Sequence, residues 1–142
     1  MKLFITIVVL MILPFCSTLA QTEKAKVEAA VRNYVEAFYN ADTIKIHQSI
    51  AKDVVKYGYA IPKNKTQYER FPDSFQEMIS SILKYGKYPT QIPNAIEVFD
   101  LLDQTASARL TAGWGIDYIL LAKQKGNWMI THVLWQTHPP KK

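Results

Sequence analysis

The chain has 142 residues and a formal net charge of +5. This length suits one domain, and neither an internal repeat nor a second domain is visible. The basic residues are scattered, with no block of five or six like charges, which favours a solvated basic surface over a nucleic-acid partner.

The first twenty residues have the pattern of a secretory signal peptide. Lys2 supplies a positive charge, an apolar run extends from Leu3 to Phe15, and small residues lead to Ala20. The apolar run is shorter than the ~20 residues that a membrane-spanning helix needs. We expect cleavage after Ala20, a single mature domain at residues 21–142 in the periplasm or medium, and no membrane association after signal removal.

The single cysteine, Cys16, lies within the predicted signal peptide. A lipoprotein needs small residues before its modified cysteine, and the bulky Phe15 argues against this alternative. Cleavage after Ala20 leaves no disulfide and no thiolate ligand. With only three histidines in addition, we expect no metal site. No phosphate- or dinucleotide-binding motif is present, and we expect no cofactor.

Three helices are expected. Apolar residues recur at three- and four-residue spacing over residues 22–41, which predicts an amphipathic helix. Asp42 can accept the free N–H groups of a second, short helix over residues 43–52. Ser74 and Glu77 have the spacing of a capping box and predict the start of a third helix.

The strands are concentrated in the second half of the chain. Residues 54–61 alternate as one strand, in which Gly58 indicates a bulge or a close backbone approach. Four more strands are predicted at residues 95–101, 106–114, 117–123 and 128–137. The order α-α-β-α-β-β-β-β predicts an α+β domain, with N-terminal helices packed on one face of a mostly antiparallel sheet.

The C-terminal third resembles a known family. The resemblance rests on Asp103, Thr105-Ala106-Ser107-Ala108, Trp114-Gly115, Asp117-Tyr118, Leu121-Ala122-Lys123, Gly126, Trp128-Met129-Ile130 and residues 133–139, with weaker echoes at Tyr34, His47, Lys56 and Gly58. These residues are similar to the exported bacterial group labelled putative lumazine-binding, in the nuclear-transport-factor-2-like superfamily of cystatin-like cone folds. Gln48 departs from the family, in which a proline usually follows the histidine.

The resemblance has consequences for fold more than for chemistry. It implies a curved sheet wrapped against the long helix, a pocket at the open end of the cone, and frequent homodimers through the sheet. The superfamily includes isomerases, dehydratases, cyclases and scaffolds, so the fold does not decide the function.

Asp117 and His132 form the one acid–base pair that the sequence offers. Asp117 begins a strand that is apolar on both faces, where desolvation would raise its pKa; the alternative is a structural carboxylate bound by backbone N–H groups. His132 lies on the neighbouring strand, and Tyr57 or Tyr118 could donate a hydrogen bond. An isomerase- or dehydratase-like enzyme is therefore one hypothesis, and whether the protein is an enzyme stays open.

Aromatic residues on the strands could line a site for a flat small molecule, with ordinary core packing as the alternative. The candidate ligand-binding residues are Tyr57, Tyr59, Trp114, Tyr118 and Trp135, together with His47 on the second helix, which could instead be a core-edge histidine. Our preferred hypothesis is a non-catalytic exported domain that binds a small hydrophobic or heteroaromatic ligand, as a homodimer. A periplasmic interaction module is the third hypothesis.

Overall fold

The computed structural model describes residues 2–88 and 94–140, with side chains from residue 20 onward. The predicted signal peptide, residues 1–20, therefore lies outside the described side chains except at its last residue. The described helices are α1 (Lys2–Asn40), α2 (Thr43–Ser49) and α3 (Phe75–Tyr85), and the strands are β1 (Ile50–Ala60), β2 (Glu69–Asp73), β3 (Ala95–Leu101), β4 (Thr105–Ala112), β5 (Gly115–Gln124) and β6 (Asn127–Thr137). No helix within the described residues is long and apolar enough to span a membrane.

The strands form one curved sheet in the order β2-β1-β6-β5-β4-β3. Every neighbouring pair is antiparallel except β1 and β6, which are parallel. The predicted α+β fold, with helices packed on a mostly antiparallel sheet, is confirmed. Strand β2 was not predicted, because it lacks an alternating apolar pattern and contains Pro72, which an edge strand tolerates.

Helix α1 supplies the centre of the core. Val27, Val31, Tyr34 and Val35 are at most 1 % exposed. They belong to one cluster with apolar residues of β4, β5 and β6. Burial of each such side chain stabilises the fold by about 1.5–3 kcal/mol. The spacing that predicted the amphipathic helix therefore identified the face that packs on the sheet.

The start of α3 follows the predicted capping box. The Glu77 N–H donates to Ser74 Oγ over 3.2 Å, and the Ser74 N–H donates to Glu77 Oε2 over 2.7 Å. This reciprocal pair satisfies two backbone donors at the helix start. The helix ends at Tyr85 and is capped by Gly86, whose φ of 66° lies in the region that favours glycine.

Glu23 fastens the middle of α1 to the sheet. Its Oε2 accepts hydrogen bonds from Trp128 Nε1 at 2.9 Å and from Lys123 Nζ at 2.7 Å, and its Oε1 accepts from Lys26 Nζ at 2.8 Å. The cations and the indole donor stabilise the ionised carboxylate. They lower the pKa of Glu23 to about 2, with the Lys123 contact as the largest cause.

Strand β5 distinguishes the two faces of the sheet. Asp117, Ile119 and Leu121 are buried toward α1, on what we call the inner face. Tyr118 and Leu120 alternate with them and are 54 % and 51 % exposed, on the outer face. Directly paired residues share a face, so the register of the sheet assigns the neighbouring strands as well.

Strand β6 contains a bulge at Thr131. Leu121 pairs with Ile130 and Leu120 pairs with His132, so two steps along β6 match one step along β5. The extra residue shifts the alternation, because successive side chains of a strand point to opposite faces. Ile130 and Val133 are therefore both on the inner face, while His132 is exposed on the outer face.

Candidate ligand-binding site

One row of paired residues crosses the inner face beneath α1. Gly58 of β1 pairs with Trp135 of β6, and Trp135 pairs with Asp117 of β5. A Cβ atom on Gly58 would lie 2.2 Å from Cδ2 of Trp135. The absence of a side chain at Gly58 therefore makes room for the indole, as the predicted close approach required.

A cavity of about 470 Å³ adjoins this row, between α1, α3 and the inner face. It is lined mainly by rings, with one charged residue: Tyr34, Phe38, Lys56, Ser81, Ile82, Tyr85, Gly86, Tyr88, Trp114 and Trp135. The volume falls within the range of ~300–1,000 Å³ that is usual for small-molecule sites.

Trp114 is the centre of the aromatic lining. Its ring makes edge contacts with Phe38, Tyr34 and Tyr88, at centroid distances of 5.6, 6.3 and 6.2 Å. Such edge-to-face packing holds rings in defined orientations. The cavity wall is therefore preorganised by contacts among its own rings.

Asp117 lies behind this wall and is fully buried. The Tyr34 hydroxyl donates to its Oδ2 over 2.8 Å, and Trp114 Nε1 donates to its Oδ1 over 2.8 Å. Burial raises the pKa of the Asp117 carboxyl, while Lys56 and the two donors oppose this rise. The pKa of Tyr34 lies well above its usual value, because of burial and the neighbouring carboxylate.

Lys56 extends from β1 into the cavity. Its Nζ lies 2.7 Å from Asp73 Oδ2, and its side chain is only 8 % exposed. The same Nζ lies 5.1 Å from the centroid of the Phe38 ring and 5.7 Å from that of Tyr34. An ammonium so placed is held by a carboxylate and by the faces of two rings.

The structure brings two of the predicted ligand-binding residues to the cavity, Trp114 and Trp135. It does not bring Tyr57, Tyr59 and Tyr118 there. Tyr57 pairs with Leu134, which pairs with Tyr118, so these side chains belong to the outer face; Tyr59 alternates with Gly58 on the same side as Tyr57. The prediction of one aromatic wall combined residues from both faces of the sheet.

The predicted meeting of Asp117 and His132 is wrong. Asp117 is buried on the inner face, whereas His132 is exposed on the outer face beside Leu120. The bulge at Thr131 is the reason, since uninterrupted alternation would have placed His132 with Trp128 and Ile130. The tyrosine that donates to Asp117 is Tyr34, in place of the expected Tyr57 or Tyr118, and Trp114 is a second donor.

His47 lies away from the cone cavity, in a separate groove of about 720 Å³. It is exposed, and its ring contacts Phe75 at a centroid distance of 5.1 Å. Ile46, the preceding residue, is the one that is buried. The groove is larger than the cavity, but its lining mixes Lys52, Asp53 and several amide side chains with apolar residues. The cone cavity therefore has the more aromatic lining of the two sites.

Tyr34, Phe38 and Lys56 are residues of the site that were not among the predicted ligand-binding residues, although Tyr34 and Lys56 belong to the weaker part of the family resemblance. Tyr34 and Phe38 repeat at helical spacing and look like core residues. The alternation of residues 54–61 placed Lys56 on the same face as Gly58. A charged residue on that face was the feature of the sequence that could have identified Lys56 as part of the site. Within the described residues, no group of three or more histidine, cysteine or acidic residues could hold a metal ion.

Solved structures with the same fold define the class of this protein. An NTF-2-like protein of unknown function from Silicibacter pomeroyi superposes with a TM-score of 0.71 at 17% identity, over 84% of this chain and 98% of that one. A Novosphingobium aromaticivorans protein described as "Putative Scytalone Dehydratase" gives 0.62 at 12% identity, over 87% and 89%. The association domain of C. elegans CaMKII gives 0.58 at 10% identity, over 82% and 97%.

These similarities establish an NTF2-like cone fold. The sequence model of the family described as "Putative lumazine-binding" matches residues 22–136. The chain belongs to this family. No curated protein matches the chain.

Proposed function

We propose that this protein is an exported domain that binds a small, flat and mainly apolar molecule in the cone cavity. The observation that carries the proposal is the ring-lined cavity, where Tyr34, Phe38, Tyr88, Trp114 and Trp135 surround a volume of about 470 Å³. Aromatic walls favour flat ring ligands through stacking and burial of apolar surface. The description of the family, which names a heteroaromatic ring system, is in keeping with such a ligand.

Binding is better supported than acid–base catalysis. Each oxygen of Asp117 already accepts a hydrogen bond, and the carboxyl is fully buried. A general base must come within ~3 Å of the proton that it removes. Asp117 could do so only after Tyr34 or Trp114 moved, and His132 lies on the opposite face. An isomerase- or dehydratase-like activity remains the alternative proposal.

Ligand titrations with a blocked cavity test the proposal. Lumazine, riboflavin and the neutral dye N-phenyl-1-naphthylamine can be titrated against the domain, following dye or tryptophan fluorescence and thermal stability. Ser81 lines the cavity, so Ser81→Phe should abolish binding of whichever ring is bound. Ser80→Phe is the matched control, because Ser80 is exposed on the same helix. Binding that persists in Ser81→Phe, or no binding by any ring, would refute the proposal.

A homodimer through the outer face is part of this proposal. Tyr118, Leu120, Leu134 and Val55 are between 41 % and 54 % exposed and lie side by side on β1, β6 and β5. Adjacent exposed apolar residues are typical of interaction surfaces. Light scattering should report a dimer for the wild type and a monomer for Leu120→Lys. Leu83→Lys, at an exposed position on α3, should remain dimeric. A monomeric wild type would exclude the dimer.

Export is proposed from the pattern of the first twenty residues. The contacts of Glu23 with Lys123 and Trp128 begin after Ala20, so a chain cleaved there keeps its attachment to the sheet. Expression of the full chain in a Gram-negative host, followed by mass spectrometry of the periplasmic fraction, should give Gln21 as the first residue. An uncleaved chain in the cytoplasm would contradict this.

A further inference from the structure

The one charged side chain among the described residues that line the cavity is Lys56. Its charge is balanced within the protein, because Asp73 Oδ2 lies 2.7 Å from its Nζ. Asp73 and Lys56 are direct partners across β2 and β1, so the backbone register holds the pair together. A ligand that enters the cavity therefore meets an ion pair and not a free cation.

Rings cover the ammonium on its other sides. Phe38 and Tyr34 place their rings within 6 Å of Lys56 Nζ, at 5.1 and 5.7 Å to the centroids. The electron-rich faces of aromatic rings attract cations and repel anions. An anionic ligand could reach Lys56 only by displacing Asp73 or one of these rings.

A second acidic group lies behind the wall. Asp117 accepts hydrogen bonds from the two wall residues Tyr34 and Trp114, and the charge of Lys56 opposes the rise that burial causes in the pKa of this carboxyl. Tyr34 thus contacts both Asp117 and the ammonium of Lys56, which lies 5.7 Å from the centroid of its ring. An additional negative charge would find no unpaired cation among the described residues that line the cavity, and burying an unpaired charge against a mainly apolar wall is unfavourable.

We propose that the cavity selects uncharged aromatic molecules against anionic ones of the same shape, and that Asp73 supplies this selection by neutralising Lys56. The inference rests on the proposed ligand-binding function and names the charge class of its ligand. A site can gain specificity by making the competing ligand bind poorly. Here an anionic ligand binds poorly because the one cation that it could pair with among the described lining residues is already paired with Asp73.

Two dyes with the same ring skeleton test the charge rule. N-phenyl-1-naphthylamine is neutral, and 8-anilino-1-naphthalenesulfonate carries one negative charge on the same rings. Because the sulfonate also changes solubility, the informative quantity is the ratio of the two dissociation constants in each variant. The wild type should prefer the neutral dye.

Asp73→Asn should reduce this preference by about tenfold, because Lys56 becomes available to the sulfonate while the binding of the neutral dye changes less than about twofold. Asp103→Asn removes the same charge at an exposed position away from the cavity lining, and should leave the ratio unchanged. Asp117→Asn is a second variant that should shift the ratio in the same direction as Asp73→Asn. Circular dichroism of each variant checks that it is folded.

The outcomes separate this inference from the proposed function. If Ser81→Phe blocks the neutral dye but the ratio is the same in wild type, Asp73→Asn and Asp117→Asn, ligand binding stands and the charge rule fails. A wild type that binds the sulfonate as tightly as the neutral dye also overturns the charge rule. If neither dye binds, the charge rule fails, and the proposed function fails with it only if lumazine and riboflavin do not bind either. If Ser81→Phe binds both dyes, both proposals fail.

Discussion

The Tyr34 hydroxyl donates a 2.8 Å hydrogen bond to Oδ2 of Asp117, and both residues are buried. This contact joins the C-terminal part of α1 to the start of β5 beneath the cavity. Together with the bond from Trp114 to Oδ1, it fixes the orientation of two rings of the cavity wall. Asp117 is therefore best described as a residue that positions the wall.

Removal of the carboxylate should destabilise the domain. Asp117→Ala leaves the Tyr34 hydroxyl and the Trp114 indole N–H buried without an acceptor, so we expect a loss of about 3 kcal/mol in the free energy of unfolding. Urea denaturation followed by circular dichroism measures this loss. Asp103→Ala, at an exposed position, should change the free energy of unfolding by less than about 0.5 kcal/mol. Equal effects of the two substitutions would contradict a structural role for Asp117.

The raised pKa of Asp117 predicts a pH dependence of stability. The folded protein holds this proton more tightly than the unfolded chain does, so its stabilising contribution is present below the ordinary pKa of 3.8 and is lost as the pH rises through the folded pKa. The Asp117→Asn variant has no ionisable group at this position. The unfolding free energy of the wild type minus that of Asp117→Asn should therefore fall as the pH rises above 3.8, by at most about 1.4 kcal/mol per pH unit. A difference that is flat with pH would show that the pKa is not raised.

The lowered pKa of Glu23 predicts the opposite dependence of the unfolding free energy on pH. Its pKa is lowered from 4.5 to about 2 by Lys123, Lys26 and Trp128, so its contribution is present above pH 4.5 and is lost as the pH falls toward 2. The unfolding free energy of the wild type minus that of Glu23→Gln should therefore increase between pH 2 and pH 4.5. Glu28→Gln provides a comparison, because Glu28 meets Lys24 only at 3.9 Å on the helix surface. If both variants gave the same slope, the Glu23 contacts would be absent in solution.

Gly58 predicts a steric effect on the cavity. Gly58→Ala brings a methyl group into the indole of Trp135, so the ring must shift, at a cost of about 1–3 kcal/mol in the free energy of unfolding. The smaller side chain of Trp135→Leu should relieve the clash. The double variant should therefore lose less stability than the sum of the two single variants, as measured by a thermodynamic cycle. If the two losses of unfolding free energy were strictly additive, the close contact between Gly58 and Trp135 would be contradicted.

The fold class could be predicted from the sequence because the patterns that indicate helices and strands each involve residues close together in the chain. The apolar repeat of α1, the capping box at Ser74 and the alternation of residues 54–61 each report on a few neighbouring residues, and the structure forms the corresponding elements. The site depends on relationships between distant residues. Tyr34 meets Asp117 across the core, and Lys56 meets Asp73 across two strands. No periodicity within either segment encodes these pairs.

The bulge at Thr131 is a second feature that the local sequence pattern does not predict. Alternation alone assigns His132 to the face of Ile130, and one extra residue in β6 reverses that assignment. Trp114 and Trp135 line the cavity, whereas Tyr57, Tyr59 and Tyr118 lie on the other face of the sheet. All five were predicted because they are aromatic residues of the strand-rich segments, and residue type alone does not distinguish the two faces.

The parallel pairing of β1 with β6 has a consequence for biosynthesis. Trp135, which forms part of the cavity wall, is held against Gly58 from the other half of the chain. Contacts between such distant segments form late, because a long loop must close first. A nascent chain still lacking its last strand would have α1, α3 and Lys56 but no completed wall. The protein should therefore acquire its binding competence only after β6, with Trp135, has emerged from the ribosome.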